Sequence, residues 1–218
     1  MLILPKMILR VLTLFLLITA CQSKNQVAIN NISDPPVKSN KDERYSNVYA
    51  ALDGTWKGTF TIYKDTTGQQ PGDSQPENIN AARLDSSWLK QTQEIRVKQV
   101  YHSLSPYFQK VTITDRYPKP DGTTKKVVSK GVNKVQEGNL WCVVRKPDET
   151  VIHEGTLAGP HTLIWQRNKK NPLKIEYFME TVNDNSYEII GWGYYQGHDP
   201  EKGPAYWFHG NYSRTHEE

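Results

Sequence analysis

Cysteine is scarce in this chain of 218 residues, which contains only Cys21 and Cys142. Two cysteines allow at most one disulfide, so a disulfide framework cannot hold the fold together. Cys142 lies in the apolar run of residues 140–144, which is typical of a buried thiol. We therefore interpret Cys142 as a core residue rather than a reactive nucleophile.

Catalytic sequence motifs are also lacking. The chain has no Gly-x-Ser-x-Gly elbow, no Walker A loop and no His-Glu-x-x-His. The carboxylates Glu176, Glu180 and Glu188 alternate with apolar residues, so we expect them to face solvent. We predict no catalytic residues, and an enzyme is the less favoured class.

Metal-ligand spacing is missing among the six histidines. His161 and His209 are the best candidates for a metal or haem ligand, provided that distant strands bring them into a shared interior. Because isolated histidines are weak evidence for a site, the prediction is no metal and no cofactor.

Basic charge is neither large nor concentrated. The formal net charge is +4, from 27 Lys and Arg against 23 Asp and Glu. A nucleic-acid-binding surface needs a clustered basic face, so nucleic acid is excluded as a partner.

The amino-terminal residues follow the plan of a secretory signal. Lys6 and Arg10 precede an apolar run, residues 11–18, that is too short to span a bilayer. Ile18-Thr19-Ala20-Cys21 then resembles a bacterial lipobox. The resemblance implies a signal peptide over residues 1–20, cleavage before Cys21, and lipid on Cys21 that anchors the protein to the cell envelope. In a cell with two membranes, Gln22 favours the outer one; an ordinary signal with a chance cysteine is the alternative.

Residues 21–48 are polar and contain Pro35 and Pro36. Such a segment buries too little apolar surface to offset its ordering entropy. We predict a flexible tether between the lipid and the folded domain.

From residue 49 to residue 216 the sequence consists of short alternating runs separated by turn residues, without a long amphipathic helix. In the first run Trp56, Phe60 and Ile62 share one face. Successive hairpins would leave two free edges unless the sheet closes. We predict an all-β fold, an antiparallel up-and-down barrel of about 8–10 strands.

The start of the first run, Asp53-Gly54-Thr55-Trp56, resembles the Gly-x-Trp signature of the lipocalins and the wider calycin group. In that family an Arg from the last strand packs on this Trp. Arg214 matches by position, so the resemblance implies that Trp56 and Arg214 meet where the barrel closes.

Aromatic residues are dense near the carboxyl end, and we assign Trp192, Tyr194, Trp207 and Phe208 as ligand-binding candidates. Trp192 and Trp207 are expected to lie on opposite faces, so that only one of them responds strongly to ligand. The predicted function is a lipid-anchored envelope protein that binds an apolar or amphipathic small molecule, with its membrane as the other partner. Two alternatives stay open: a barrel enzyme or haem-binding protein, and a structural protein with a filled barrel.

Overall fold

The computed structural model describes residues 27–66, 84, 89–201 and 203–215. Two short 3₁₀ helices, Asn40–Tyr45 and Ala50–Leu52, precede the first strand. The strands are β1 Gly54–Asp65, β2 Leu89–Ser105, β3 Phe108–Pro118, β4 Thr124–Gln136, β5 Asn139–Arg145, β6 Thr150–Gly159, β7 Thr162–Lys170, β8 Leu173–Val182, β9 Ser186–Tyr195 and β10 Tyr206–Thr215.

Each strand pairs antiparallel with its successor, and β10 pairs with β1 to close the barrel. The β1–β10 register runs without a break from Thr55 opposite Thr215 to Lys64 opposite Tyr206. Closure gives every described strand two hydrogen-bonded neighbours. The prediction of an all-β, antiparallel up-and-down barrel is confirmed, with ten strands.

Side chains alternate between the interior, here termed the lumen, and the outside of the wall. Residues directly opposite each other on paired strands share a face. Trp56, Phe60 and Ile62 point into the lumen, where Trp56 belongs to the interior core and the other two pack against it. The alternation predicted for β1 is therefore correct.

The two 3₁₀ helices cover one end of the barrel, termed the capped end. Leu52 and Tyr49 are buried in the interior core. The indole N–H of Trp56 donates to the Leu52 carbonyl oxygen at 2.7 Å, and the Tyr49 hydroxyl donates to the Lys134 carbonyl oxygen at 2.9 Å. These bonds fix the helices across the end of the lumen.

Arg214 joins the last strand to the first at this capped end. Its guanidinium carbon lies 4.2 Å from the centroid of the Trp56 ring. The same side chain donates hydrogen bonds to the carbonyl oxygens of Ala51, at 2.8 Å, and Asp53. The predicted contact between Trp56 and Arg214 is present.

Gly54 makes room for that contact. Its φ is +118°, a conformation that other residues rarely adopt. A Cβ at this position would lie 2.9 Å from a terminal guanidinium nitrogen of Arg214. The backbone conformation therefore favours glycine here, and the missing Cβ leaves room for the end of the Arg214 side chain.

Residues 27–32 lie along the outer wall, and the chain then leads into the first 3₁₀ helix at the capped end. Ile29 and Ile32 pack against a buried outer cluster that includes Val132. The Lys134 ammonium donates to the carbonyl oxygens of Ala28 and Asn31 at 3.3 and 3.0 Å. The prediction of a flexible tether is therefore wrong for residues 27–48, because two isoleucines and a buried lysine hold the segment. Residues 1–26, with the predicted signal and Cys21, lie outside the described residues.

Candidate functional site

The four aromatic residues predicted to bind ligand lie on both faces of the wall. Trp207 lies opposite Trp192 in the β9–β10 pair, so the two share a face, and Tyr194, two residues further on, shares it too. Phe208, next to Trp207, points into the lumen, where its ring stacks on Phe60 at 5.8 Å. Trp192, Tyr194 and Trp207 are therefore on the outer face.

The expectation that Trp192 and Trp207 lie on opposite faces is wrong. Both are buried from outside, in a cluster with Ile190, Tyr194 and Leu84, here termed the outer aromatic cluster. Leu84, which lies between β1 and β2 in the chain, therefore packs on the outer wall. Phe208 alone of the four candidates faces the lumen, and other residues must complete an interior site.

Strand β8 has the opposite alternation from the one predicted. Tyr177 lies opposite Trp192, with ring centroids 4.2 Å apart, so Tyr177 faces outward together with Leu173, Ile175 and Met179. Glu176 and Glu180 consequently point into the lumen, and the prediction that they face solvent is wrong. The physical reason is that the outer wall is covered here, so that the apolar face of β8 packs against the cover. In a barrel with an uncovered wall, the apolar face would point inward.

Space remains in the middle of the lumen among the described side chains. Phe60, Ile113, Cys142 and Phe178 point inward and pack against the interior core, yet each stays partly exposed. Because the closed wall surrounds them, the surface that they expose borders an internal space. Apolar and aromatic walls with few polar groups are typical of small-molecule sites.

Glu180 is the carboxyl that borders this space. It lies opposite the buried Leu163 on β7 and Ile189 on β9. Burial raises its pKa from 4.5 to about 7, although Trp165 and Tyr187 partly oppose the rise. No lysine, arginine or histidine in the described part of the chain pairs with it. Near neutral pH this carboxyl can therefore donate a hydrogen bond or carry a charge.

Neutral hydroxyl and amide groups lie between Glu180 and the capped end. The Tyr101 hydroxyl donates to Gln99 Oε1, and the hydroxyls of Tyr101 and Tyr187 are 3.3 Å apart. Burial, with Glu180 adding to it, raises the pKa of both tyrosines well above the usual range. They remain uncharged hydrogen-bonding groups.

Trp165 faces the lumen with its indole N–H near Glu180. It lies opposite Gly155 and Phe178, and its buried Nε1 makes no hydrogen bond of normal geometry among the described residues, although it is near enough to Glu180 to lower the pKa of that carboxyl. A Cβ on Gly155 would lie 2.4 Å from the Trp165 ring, so the glycine lets the indole lie flat on the wall. Buried N–H groups without an acceptor are rare, and water or a ligand often supplies one.

The other end of the lumen carries a set of charged and polar side chains, here termed the rim network. Arg167 donates to Glu149 at 2.9 Å and to Glu176 at 3.3 Å. Burial acts to raise the pKa of Glu176, but its neighbours outweigh that effect and lower it to about 2. The network consists of Glu149, His153, Arg167, Lys174, Glu176 and Tyr195. Its carboxylates stay ionised and paired.

The hypothesis that His161 and His209 converge on an interior metal or haem is wrong. His161 is exposed at the β6–β7 turn, and His209 faces outward, where its Nε2 lies 3.0 Å from Glu188 Oε1. Glu188 thus faces outward, as predicted. Within the described ranges, no group of three or more His, Cys, Asp or Glu residues could hold a metal ion.

Cys142 points into the lumen opposite Asn133 and His153. Burial, reinforced by the nearby Glu180, raises the pKa of its thiol well above the usual range. The thiol is therefore protonated and a poor nucleophile. Cys21 cannot be placed, since it precedes the described residues, and none of the helices in the described ranges has the length and apolar character to cross a membrane.

Sequence reasoning missed Glu180, although one signal could have located it. Phe178 shares a face with Glu176 and Glu180. An aromatic residue between two carboxylates on one face is unusual for a solvated strand surface. It indicates that the charged face, rather than the apolar one, points into the barrel.

No protein-family model matches the chain, and no curated protein matches its sequence. Among solved structures, it is similar to a redesigned beta barrel, b11L5F_LGL, at 10% identity and a TM-score of 0.34, over 78% of this chain and 97% of the other. It is also similar to EF1p2_mFAP2b bound to DFHBI, at 13% identity and a TM-score of 0.38, over 78% of this chain and 99% of the other.

Proposed function

We propose that this protein is a lipid-anchored envelope protein whose barrel binds an apolar or amphipathic small molecule. One observation carries the binding part of the proposal: Phe60, Ile113 and Phe178 point into a closed barrel and are still partly exposed. A barrel filled by its own side chains would bury them completely.

The strand number supports an interior that can accept a ligand. Barrel diameter grows with strand number, and eight strands already leave a space that side chains fill or that one small ligand occupies. Ten strands make a wider lumen. The glycines Gly191 and Gly210 lie on the inner face and accommodate the rings of Phe178 and Tyr212 against the wall. Flat rings of this kind line the lumen without crossing it.

The distribution of polar groups supports an amphipathic ligand. The middle of the lumen has apolar walls, while Glu180 and the Trp165 indole N–H supply polar atoms at one level. The capped end is covered by Leu52 and Tyr49. A ligand would therefore enter at the rim network and place its polar group near Glu180.

The anchor is supported by the sequence of residues 18–21, which resembles a lipobox. It is compatible with ligand entry, because residue 27 lies on the outer wall. There the Gln136 side-chain amide donates to the Val27 carbonyl oxygen at 2.7 Å. A lipid attached a few residues earlier would leave the lumen unobstructed.

The test uses the mature chain, residues 21–218, with Cys21→Ser so that no acyl chain competes. We expect the uncharged dye Nile red to bind saturably and to be displaced by long-chain alcohols. Ile113→Trp places an indole in the lumen and should weaken dye binding at least about tenfold. Thr112→Trp, on the outer face of the same strand, is the matched control and should bind normally. Absence of saturable binding would contradict the proposal and favour a filled structural barrel.

A further inference from the structure

We propose that the lumen selects a lipophilic cation, an amphiphile whose ammonium group lies against Glu180 and the aromatic rings near it. The inference rests on the proposed function, because it names the chemical class of the ligand bound at that site. It is argued from the charges of the lumen-facing side chains, their aromatic rings and the indole N–H of Trp165.

Apart from Glu176 in the rim network, two carboxyl groups face the lumen from opposite walls. Glu180 is on β8 and Asp115 on β3, which are opposite strands of the ten-strand ring. Asp115 lies opposite Val97 and Val127, whose side chains share its inner face. Tyr212 is within electrostatic reach of both carboxyls. The lumen is therefore negative when these groups ionise.

The groups that face Glu180 carry no positive charge. They come from every element packed around it and are Tyr49, Tyr101, Cys142, Tyr187 and Tyr212. Burial raises the pKa of each, so all are neutral near pH 7. When Glu180 ionises, no positive charge among these neighbours compensates it.

The described cations near the lumen are engaged elsewhere. Arg214 stacks on Trp56 at the capped end, while Arg167 and Lys174 are paired with carboxylates in the rim network. Lys146, in the β5–β6 turn, opposes the rise in the pKa of Asp115 and of Cys142, but it is not among the groups that shift the pKa of Glu180. A cationic ligand would supply the charge that the wall lacks.

Aromatic rings and an indole N–H complete the site. Trp165, Phe178 and Tyr187 line the lumen around Glu180, and the faces of such rings attract ammonium groups. The Trp165 Nε1 lies near the Glu180 carboxyl but makes no hydrogen bond of normal geometry among the described residues. An ammonium group that ionises Glu180 would make its carboxylate a stronger acceptor for this N–H.

An anionic amphiphile is disfavoured by the same arrangement. A fatty-acid carboxylate would add a negative charge beside Glu180 in a poorly solvated space, and like charges there oppose ionisation. An uncharged lipid avoids the repulsion but gains no ionic attraction from Glu180. The expected order of affinity is amine, then alcohol, then acid.

Isothermal titration of the mature chain with Cys21→Ser tests this order, using decylamine, decanol and decanoate, which share one chain length. We expect decylamine to bind about tenfold more tightly than decanol and decanoate to bind most weakly. Glu180→Gln should remove the preference for decylamine, so that decylamine and decanol bind with similar affinity. Glu188→Gln, which alters a carboxylate on the outer face of β9, is the matched control and should keep the preference.

A second measurement uses no substitution in the lumen. At about pH 6 Glu180 is mostly protonated, so decylamine binding should release nearly one proton and decanol binding none. Titrations in buffers of different ionisation enthalpy count these protons. Equal affinities for amine and alcohol, tighter binding of decanoate, or the absence of proton release would overturn the cation inference and leave the proposed function standing. If none of the three amphiphiles binds, both fall.

Discussion

Replacing Glu180 by Gln should stabilise the protein at alkaline pH, because it removes a buried carboxyl that can ionise. The amide has nearly the shape of the protonated carboxyl but cannot ionise. Glu180 borders the lumen without a cation to pair with, so its charged form is the costly one. The substitution therefore removes an unfavourable ionisation and leaves the packing intact.

The size of the effect follows from the two pKa values. When folded, Glu180 has a pKa of about 7, against 4.5 for an unperturbed Glu. Below pH 4.5 both states hold the proton and no difference arises. As pH rises from 4.5 to 7 the unfolded chain releases its proton first, so the folded state loses stability. Above pH 7 the loss reaches its limit of about 3 kcal/mol.

Urea unfolding of the wild-type and Glu180→Gln proteins from about pH 4 to pH 8 measures this difference. Other titrating groups, including those of the rim network, are common to both proteins and cancel in the subtraction. The variant's advantage should grow from near zero at pH 4 to about 3 kcal/mol at pH 8. A difference that stays constant with pH, or a wild-type protein that is more stable at pH 8, would refute the reasoning.

Three further predictions concern other parts of the molecule. Trp56→Ala and Arg214→Ala should be non-additive in a double-mutant cycle, with a coupling of about 1–2 kcal/mol from the contact at 4.2 Å; additive losses would show that the contact contributes no energy. Glu176 has a folded pKa of about 2 against 4.5, so its stabilisation is complete above pH 4.5 and disappears as pH falls towards 2. Glu176→Gln should thus cost up to about 3 kcal/mol at pH 7 and little near pH 2, measured by urea unfolding. Cys21→Ser should move the protein from the detergent phase to the aqueous phase, and unchanged partitioning of both forms would count against lipidation.

The closed barrel could be predicted from the sequence because local patterns and global topology agree. Alternation in β1 placed Trp56, Phe60 and Ile62 on the inner face, where the structure has them. The Gly-x-Trp start and the position of Arg214 gave the closure of β1 on β10. Each of these signals depends on residues in one strand or on one pair of strands.

The site could not be predicted in the same way. Alternation along a strand shows which residues share a face, but it does not distinguish an inner face from a covered outer one. Tyr177 and Trp192 look like lumen residues in the sequence, but they pack with Leu84 on the outer wall. That covering is a long-range contact with no periodic signature. The polar segment around Ile29 was misjudged for a related reason, since a few apolar residues suffice when the wall offers a matching surface.

The pairing of β1 with β10 also has a consequence for how the chain acquires its fold. The strands that complete the ring are separated by almost the whole domain, so closure requires the contact of greatest sequence separation. Until β10 is available, β1 and β9 would both present unpaired edges, which invite pairing with other chains. Contacts of long sequence separation also slow folding. During synthesis the incomplete domain is therefore most exposed to aggregation just before its final strand arrives, and Arg214 is among the last residues to dock.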